Sequence, residues 1–176
     1  MSGRLLSMSD VGRDVAFAGV GLGEEPSGVA EEYWPDLEGL DHKDVVTDFE
    51  MAPETFFDTA VVHLLTTSTI DRLRQLYPQG RFEVRRFRPN IVVATDEAGF
   101  VENDWIGRVL EIGETVRLAI TERCPRCVMI TLAQGDLPKD SGILRTAAQH
   151  NDVNVGVYAS VISGGIIRRG DAVLLS

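Results

Sequence analysis

The feature that most constrains this chain is its punctuation. Short apolar runs follow one another, broken by glycine, proline and charged turns before any grows to helix length. Val45–Met51, Phe57–Thr66, Phe82–Arg86, Ile91–Ala94, Arg108–Ile112, Val116–Thr121 and Val128–Leu132 read as strands. The last stretch, N-V-G-V-Y-A-S-V-I-S-G-G-I-I-R-R-G-D-A-V-L-L, alternates and holds two turn signals, Gly164-Gly165 and Arg169-Gly170-Asp171. Strands at a spacing of roughly 8–12 residues predict a barrel or a sandwich. Only two segments switch to helical spacing. In residues 68–77, Ile70, Leu73 and Leu76 or Tyr77 share a face, Thr67 or Ser68 can cap the start, and Pro78 and Gly80 stop the helix. Ser141 can cap a second helix, Gly142 to His150. The expectation is a mainly β, barrel-like fold with one or two short helices.

Charge divides the chain. Of the net −10, residues 1–58 carry 14 acidic and 3 basic side chains, while residues 59–176 are close to balanced. We therefore read residues 1–44 as an acidic, irregular lead-in or remnant and residues 45–176 as one β-barrel domain. A turn-rich run, G-V-G-L-G-E-E-P-S-G, supports the first half of that division. No basic stripe interleaved with aromatics is present, which argues against nucleic acid as the main ligand. No apolar run approaches the length that crosses a bilayer, and the N-terminus makes a poor signal peptide. The expectation is a soluble, cytoplasmic protein without a membrane partner.

The only two cysteines lie three apart, in T-E-R-C-P-R-C-V-M-I. Zinc would need its other ligands from His42, His63 and His150, and His63 sits in an apolar strand where a satisfied core histidine is commoner. A redox C-P-x-C should open a helix, whereas this one lies between two strand-like runs. A third option is one thiolate on a soft metal, with Arg123 and Arg126 favouring the charged sulfur while the other cysteine packs. The plain alternative is two small buried hydrophobes.

A second cluster is R-F-E-V-R-R-F-R-P-N, residues 81–90, with four arginines in eight positions. Arginine suits phosphate and other planar anions, Pro89 fixes the approach, and Asn90 both donates and accepts. Alone, a charged edge strand explains it.

Taken in order, F-R-P-N-I-V-V, C-P-R-C-V-M-I-T, N-V-G-V-Y-A and I-I-R-R-G-D-A-V-L-L resemble the MOSC family, the domain at the C-terminus of molybdenum-cofactor sulfurases. The likeness spans residues 45–176 and is nearest to the branch of the mitochondrial amidoxime-reducing component and its bacterial counterparts. It implies a MOSC-type barrel that binds the molybdenum cofactor (molybdopterin), with molybdenum-ion and pyridoxal phosphate binding among the attributes of the wider family. Cys127 would be the metal ligand and the catalytic residue. Arg88 and Asn90 would contact the cofactor, as would the turn Thr66, Thr67 and Ser68 and the segment with Cys124, Arg126 and Thr131. Ile130 stands where relatives often carry the first of two threonines. The implied activity is an oxidoreductase that reduces N-hydroxylated or N-oxidised small molecules. Its electrons would come from a separate reductase, an iron–sulfur, flavin or haem protein. The alternative is a cofactor or sulfur carrier without reductase activity of its own.

Overall fold

A computed structural model describes the backbone of Ser2–Met8, Val15–Phe17, Gly28–Glu32 and Thr47–Met51, and both backbone and side chains of residues 62–176. Eleven strands are defined among the described residues: β1 (Ser2–Met8), β2 (Val15–Phe17), β3 (Gly28–Glu32), β4 (Thr47–Met51), β5 (Val62–Thr66), β6 (Ile91–Ala94), β7 (Val109–Ile112), β8 (Val116–Pro125), β9 (Asn154–Ser163), β10 (Gly165–Ile167) and β11 (Ala172–Leu175). Three α-helices join them: α1 (Thr67–Leu76), the single turn α2 (Val84–Phe87) and α3 (Gly142–Asn151). Residues Val101–Trp105 and Val128–Thr131 form 3-10 turns.

Seven strands close a barrel in the order β1-β11-β7-β8-β9-β5-β6, with β6 returning to β1. Among the described strands only β5 and β6 pair in parallel, and α1 supplies the crossover that a parallel pair requires. The mainly β, barrel-like fold with few helices is thus observed. Met1–Gly19 and Val62–Ser176 make one compact unit; Val20–Val61 makes a second, in which β3 and β4 pair as an antiparallel ribbon. The division expected between residues 44 and 45 falls outside the described residues, as do Val45, Val46 and residues 57–61. Ser2–Met8, within the segment read as irregular, runs as a barrel strand between β11 and β6.

Alternation works where one face is wet. Along β8, Val116, Leu118 and Ile120 are buried while Arg117 is exposed. Where helices cover the barrel the pattern becomes continuous: every residue of β5 is buried. Leu65, Ile70, Leu73, Phe82, Phe87, Ile130, Ile143, Ala147 and Val155 form a core cluster. Each large side chain in it contributes about 2 kcal/mol by leaving water.

Two expected strands are something else. Phe82–Arg86 is not a strand; residues 84–87 close one helical turn. Phe82 and Phe87 both reach the core, five residues apart, and Arg86 between them is 1% exposed, which a period of two cannot deliver. Val128–Leu132 is a 3-10 turn: Ile130 points inward, Val128 and Met129 stay exposed, and the Thr131 hydroxyl donates to the Val128 carbonyl at 2.7 Å. β8 runs past its expected end to Pro125 through two irregularities in its pairing with β9, which draws Cys124 into the sheet. Helix starts differ as well. The cap of α1 is Thr66, whose hydroxyl accepts from the Thr69 amide at 3.2 Å, rather than Thr67 or Ser68. Asp140, not Ser141, satisfies the start of α3 by accepting from the Gly142 amide at 2.8 Å. No helix among the described residues is long and apolar enough to cross a membrane.

Candidate functional site

A row of paired residues crosses the sheet: Arg123 on β8, Val157 on β9, Leu64 on β5 and Ile91 on β6. Because β9 is antiparallel to both neighbours, β8 and β5 run the same way. Beyond the row they deliver Cys124 to Cys127 and Thr66 to Ser68 to the same end of the barrel, where β6 ends at Ala94 and Thr95 follows.

The two thiols have opposite surroundings. Cys124 is fully buried and Cys127 is exposed. Arg126 donates to the Cys124 sulfur at 2.9 Å and to the Phe87 carbonyl at 3.0 Å, and its amide donates to the Val153 carbonyl at 3.0 Å. Arg126 therefore ties the thiol loop to the residue before Arg88, and its side chain pairs with Cys124 rather than Cys127. Arg123 pairs with Asp152 at 3.6 Å.

The four arginines of residues 81–88 separate by role. Arg81 and Arg85 form a surface network with Glu83 and Asp136. The two arginines hold both carboxyls below the usual carboxylate range. Arg86 is buried and donates to the carbonyls of Arg81, Ile130, Leu132 and Pro138 at 2.9–3.2 Å, so it clamps the turn that follows Cys127. Of the four guanidinium groups, that of Arg88 alone has no partner among the described residues, while its backbone bonds the His63 ring. Arg88 is exposed and sits at φ 54°, ψ 46°. A side chain other than glycine held in the left-handed region, immediately before a proline, is a strained placement of the sort that collects at binding sites.

Asn90 is fixed through His63. Its Oδ1 accepts from the His63 amide at 2.7 Å and its own amide donates to the His63 carbonyl at 2.8 Å. The His63 ring donates from Nε2 to the Val155 carbonyl at 3.0 Å. Burial, reinforced by the nearby Arg126 charge, lowers its pKa to about 4. His63 is a core histidine with a supporting job: it holds the backbone from which Asn90 projects.

The Thr66–Ser68 turn is largely enclosed. Thr66 and Ser68 are buried and Thr67 is half-buried, with its hydroxyl accepting from the Thr95 amide at 3.3 Å. Thr131 is also buried, and its hydroxyl is used in closing its own turn. Of the residues expected at the site, Arg88, Cys127, Arg126, Asn90 and Thr67 keep access to solvent. Cys124, Thr66, Ser68 and Thr131 are buried.

Sequence reasoning missed Glu102. It lies in the 3-10 turn Val101–Trp105, 1% exposed, and its Oε2 accepts from the Thr66 and Thr69 hydroxyls, both at 2.7 Å. In the sequence it looks like one acid of a surface loop. The available signal was the flanking Phe100, Val101 and Trp105, too apolar for a fully solvated turn.

The donor set can be tested against a metal-bearing ligand. Among the described residues no three His, Cys, Asp or Glu side chains come together. A metal held here would have the Cys127 thiolate as its protein donor, and the remaining donors would come with the ligand. A dithiolene-bound metal on a phosphorylated pterin needs one soft thiolate, an uncommitted guanidinium and hydroxyl or amide donors. Cys127, Arg88, Asn90 and Thr67 fit that list.

The MOSC domain model matches residues 52–174. No curated protein matches the chain. Among solved structures, the YUAD protein from Bacillus subtilis is 12% identical, with 99% of this chain and 96% of its own covered at a TM-score of 0.65. A structure described as a hypothetical protein is 13% identical, with 99% and 68% covered at a TM-score of 0.60. At such identities these two likenesses speak for the fold alone. The family match spans most of the sequence and includes both the F-R-P-N and C-P-R-C segments, and on that ground the chain belongs to the MOSC domain family.

Proposed function

We propose that this protein binds a molybdenum cofactor through Cys127 and reduces N-hydroxylated or N-oxidised small molecules with electrons from a separate partner protein, as in the amidoxime-reducing branch of the family. The observation that carries the reading is the contrast within C-P-R-C: one sulfur enclosed, the other presented to solvent.

The bound cofactor supplies a two-electron centre able to take oxygen from an N–O bond. The chain's part is to hold and orient. Cys127 gives the thiolate, and the Arg86 clamp keeps its turn in place. Arg88 offers an unpaired guanidinium to a phosphate, for which a planar two-pronged donor is suited. Asn90, braced on His63 and half-buried, has its side-chain NH2 without a partner among the described residues, so that it can donate to a ligand. In the net reaction the N–O bond breaks, two electrons and two protons are consumed, and the oxygen leaves as water.

The test is to purify the protein from cells that make the cofactor and measure molybdenum. Metal near one equivalent, lost in Cys127→Ala and retained in Cys124→Ala, is the expected result, together with reduction of a benzamidoxime by a dye donor. Metal without reduction would favour a carrier of the cofactor. No metal in the wild type under cofactor overproduction would overturn the binding reading.

A further inference from the structure

Glu102 is the most deeply placed acid among the described residues, and one half of it is unanswered. Oε2 takes two hydroxyl hydrogen bonds, whereas Oε1 is buried without a partner. A buried carboxylate oxygen with no donor is costly, and protonation relieves that cost. The cause of its shift is explicit. Burial pushes the Glu102 pKa up, against the pull of the Thr66 and Thr69 hydroxyls and nearby backbone amides. The titratable or charged side chains on the packed elements are His63 on β5, Asp71, Arg72 and Arg74 on α1, Tyr158 on β9 and Asp104 on the turn itself, and none of them bonds to the carboxyl. The start of α1, whose backbone dipole favours negative charge, works against protonation but carries no charged residue in its first turn.

The hydroxyls do not stop at Glu102. Thr95 donates to Ser68 at 2.9 Å, Ser68 and Thr66 are 2.9 Å apart, and Thr66 donates to Glu102 at 2.7 Å. Thr66 also accepts from the Thr69 amide, so with its hydrogen on Glu102 it must accept from Ser68. Every hydroxyl of the chain therefore points inward. Thr95, at the outer end, is half-buried.

We propose that Thr95, Ser68, Thr66 and Glu102 form a proton-storage chain, in which a proton taken up at Thr95 is held on Glu102 and returned along the same oxygens. On uptake, Thr95 gains a proton at its oxygen and passes its own to Ser68. Ser68 passes one to Thr66, and Thr66 passes one to Glu102, forming the carboxyl O–H. The three hydroxyls end reversed, and Glu102 then donates to Thr66. Release runs the same steps backward, so no atom or electron is gained or lost. The use of this store in a proton-consuming reduction rests on the function proposed above; the chain itself does not.

The experiment uses the full-length metal-free protein with carboxyl-labelled glutamate, followed by NMR for titration and by infrared spectroscopy for the carboxylic acid band. One Glu should titrate above the ordinary range and show a protonated band that Glu102→Gln removes. If that variant does not fold, backbone assignment identifies the same resonance in the wild type. On transfer to deuterated water the band should shift at least tenfold more slowly in Thr95→Val and Ser68→Ala than in the wild type. A Glu102 that is fully ionised throughout the range above ordinary carboxyl values overturns the proposal. So does an exchange rate unchanged in both hydroxyl variants. Because no molybdenum is involved, failure of the cofactor reading leaves this result untouched, and the reverse also holds.

Discussion

The Arg126 guanidinium lies 2.9 Å from the sulfur of Cys124, not on that of Cys127, three residues along the chain. Arginine thus locks the enclosed thiol into the wall of the barrel end, and the exposed thiol is left to react. In the metal-free protein an aromatic disulfide reagent should modify Cys127 within minutes, whereas Cys124 should react only on unfolding. Cys127→Ala should leave the urea midpoint within experimental error. Cys124→Ala should lower stability by about 1–2 kcal/mol, through a small cavity and a stranded Arg126 donor. Equal labelling of both sulfurs in the native state would defeat this division.

His63 predicts an acid-side loss of stability. Its pKa falls from 6.5 to about 4 in the folded chain. Between those values the unfolded chain binds a proton that the folded chain refuses, so stability rises with pH across the window and falls as pH drops through it. The full effect is about 3 kcal/mol, and below about pH 4 it is complete. His63→Gln should flatten this part of the curve of unfolding free energy against pH, even if its overall stability is lower.

Arg86 is buried on four carbonyls, with no carboxylate among those bonding partners. Arg86→Met should strand those carbonyls and cost about 3 kcal/mol or more, read by urea unfolding. Arg85→Met, on the exposed side of the same turn, should shift the urea midpoint far less. Similar losses for the two would remove the clamp from the account of the thiol loop.

Gly156 has φ +88°, and a Cβ there would meet the Leu64 carbonyl and stand 2.6 Å from His63 Nε2. Gly156→Ala should therefore lower stability by about 2 kcal/mol or more, and it should perturb the His63 ring resonances. Gly135, also at positive φ but with nothing within 4 Å, should tolerate alanine at a smaller cost.

The barrel was legible because its strands obey local rules. Alternation in Val116–Ile120 and the full burial of Val62–Thr66 are written in residue order. Val84–Phe87 and Val128–Thr131 misled for one reason: both are apolar segments whose shape is set by a distant partner. Arg86 reaches 44 residues ahead to the Ile130 carbonyl, and no local pattern encodes that bond. At the site, residue types were readable and exposure was not. Cys124 and Cys127 look alike in sequence, and only the pairing of β8 with β9 separates them. Glu102 was invisible because its partners, Thr66 and Thr69, lie more than thirty positions earlier.

The ring of strands is sealed by β1, which pairs with β11 on one side and β6 on the other. Two segments near opposite extremes of this sequence must meet before any edge disappears. Loop closure over that span is entropically slow, and until it happens β6 and β11 each keep an open row of backbone donors and acceptors. Assembly of the wall should therefore lag behind formation of the α1 and α3 layer. A peptide of the β1 sequence, added to refolding protein, should compete for that seam.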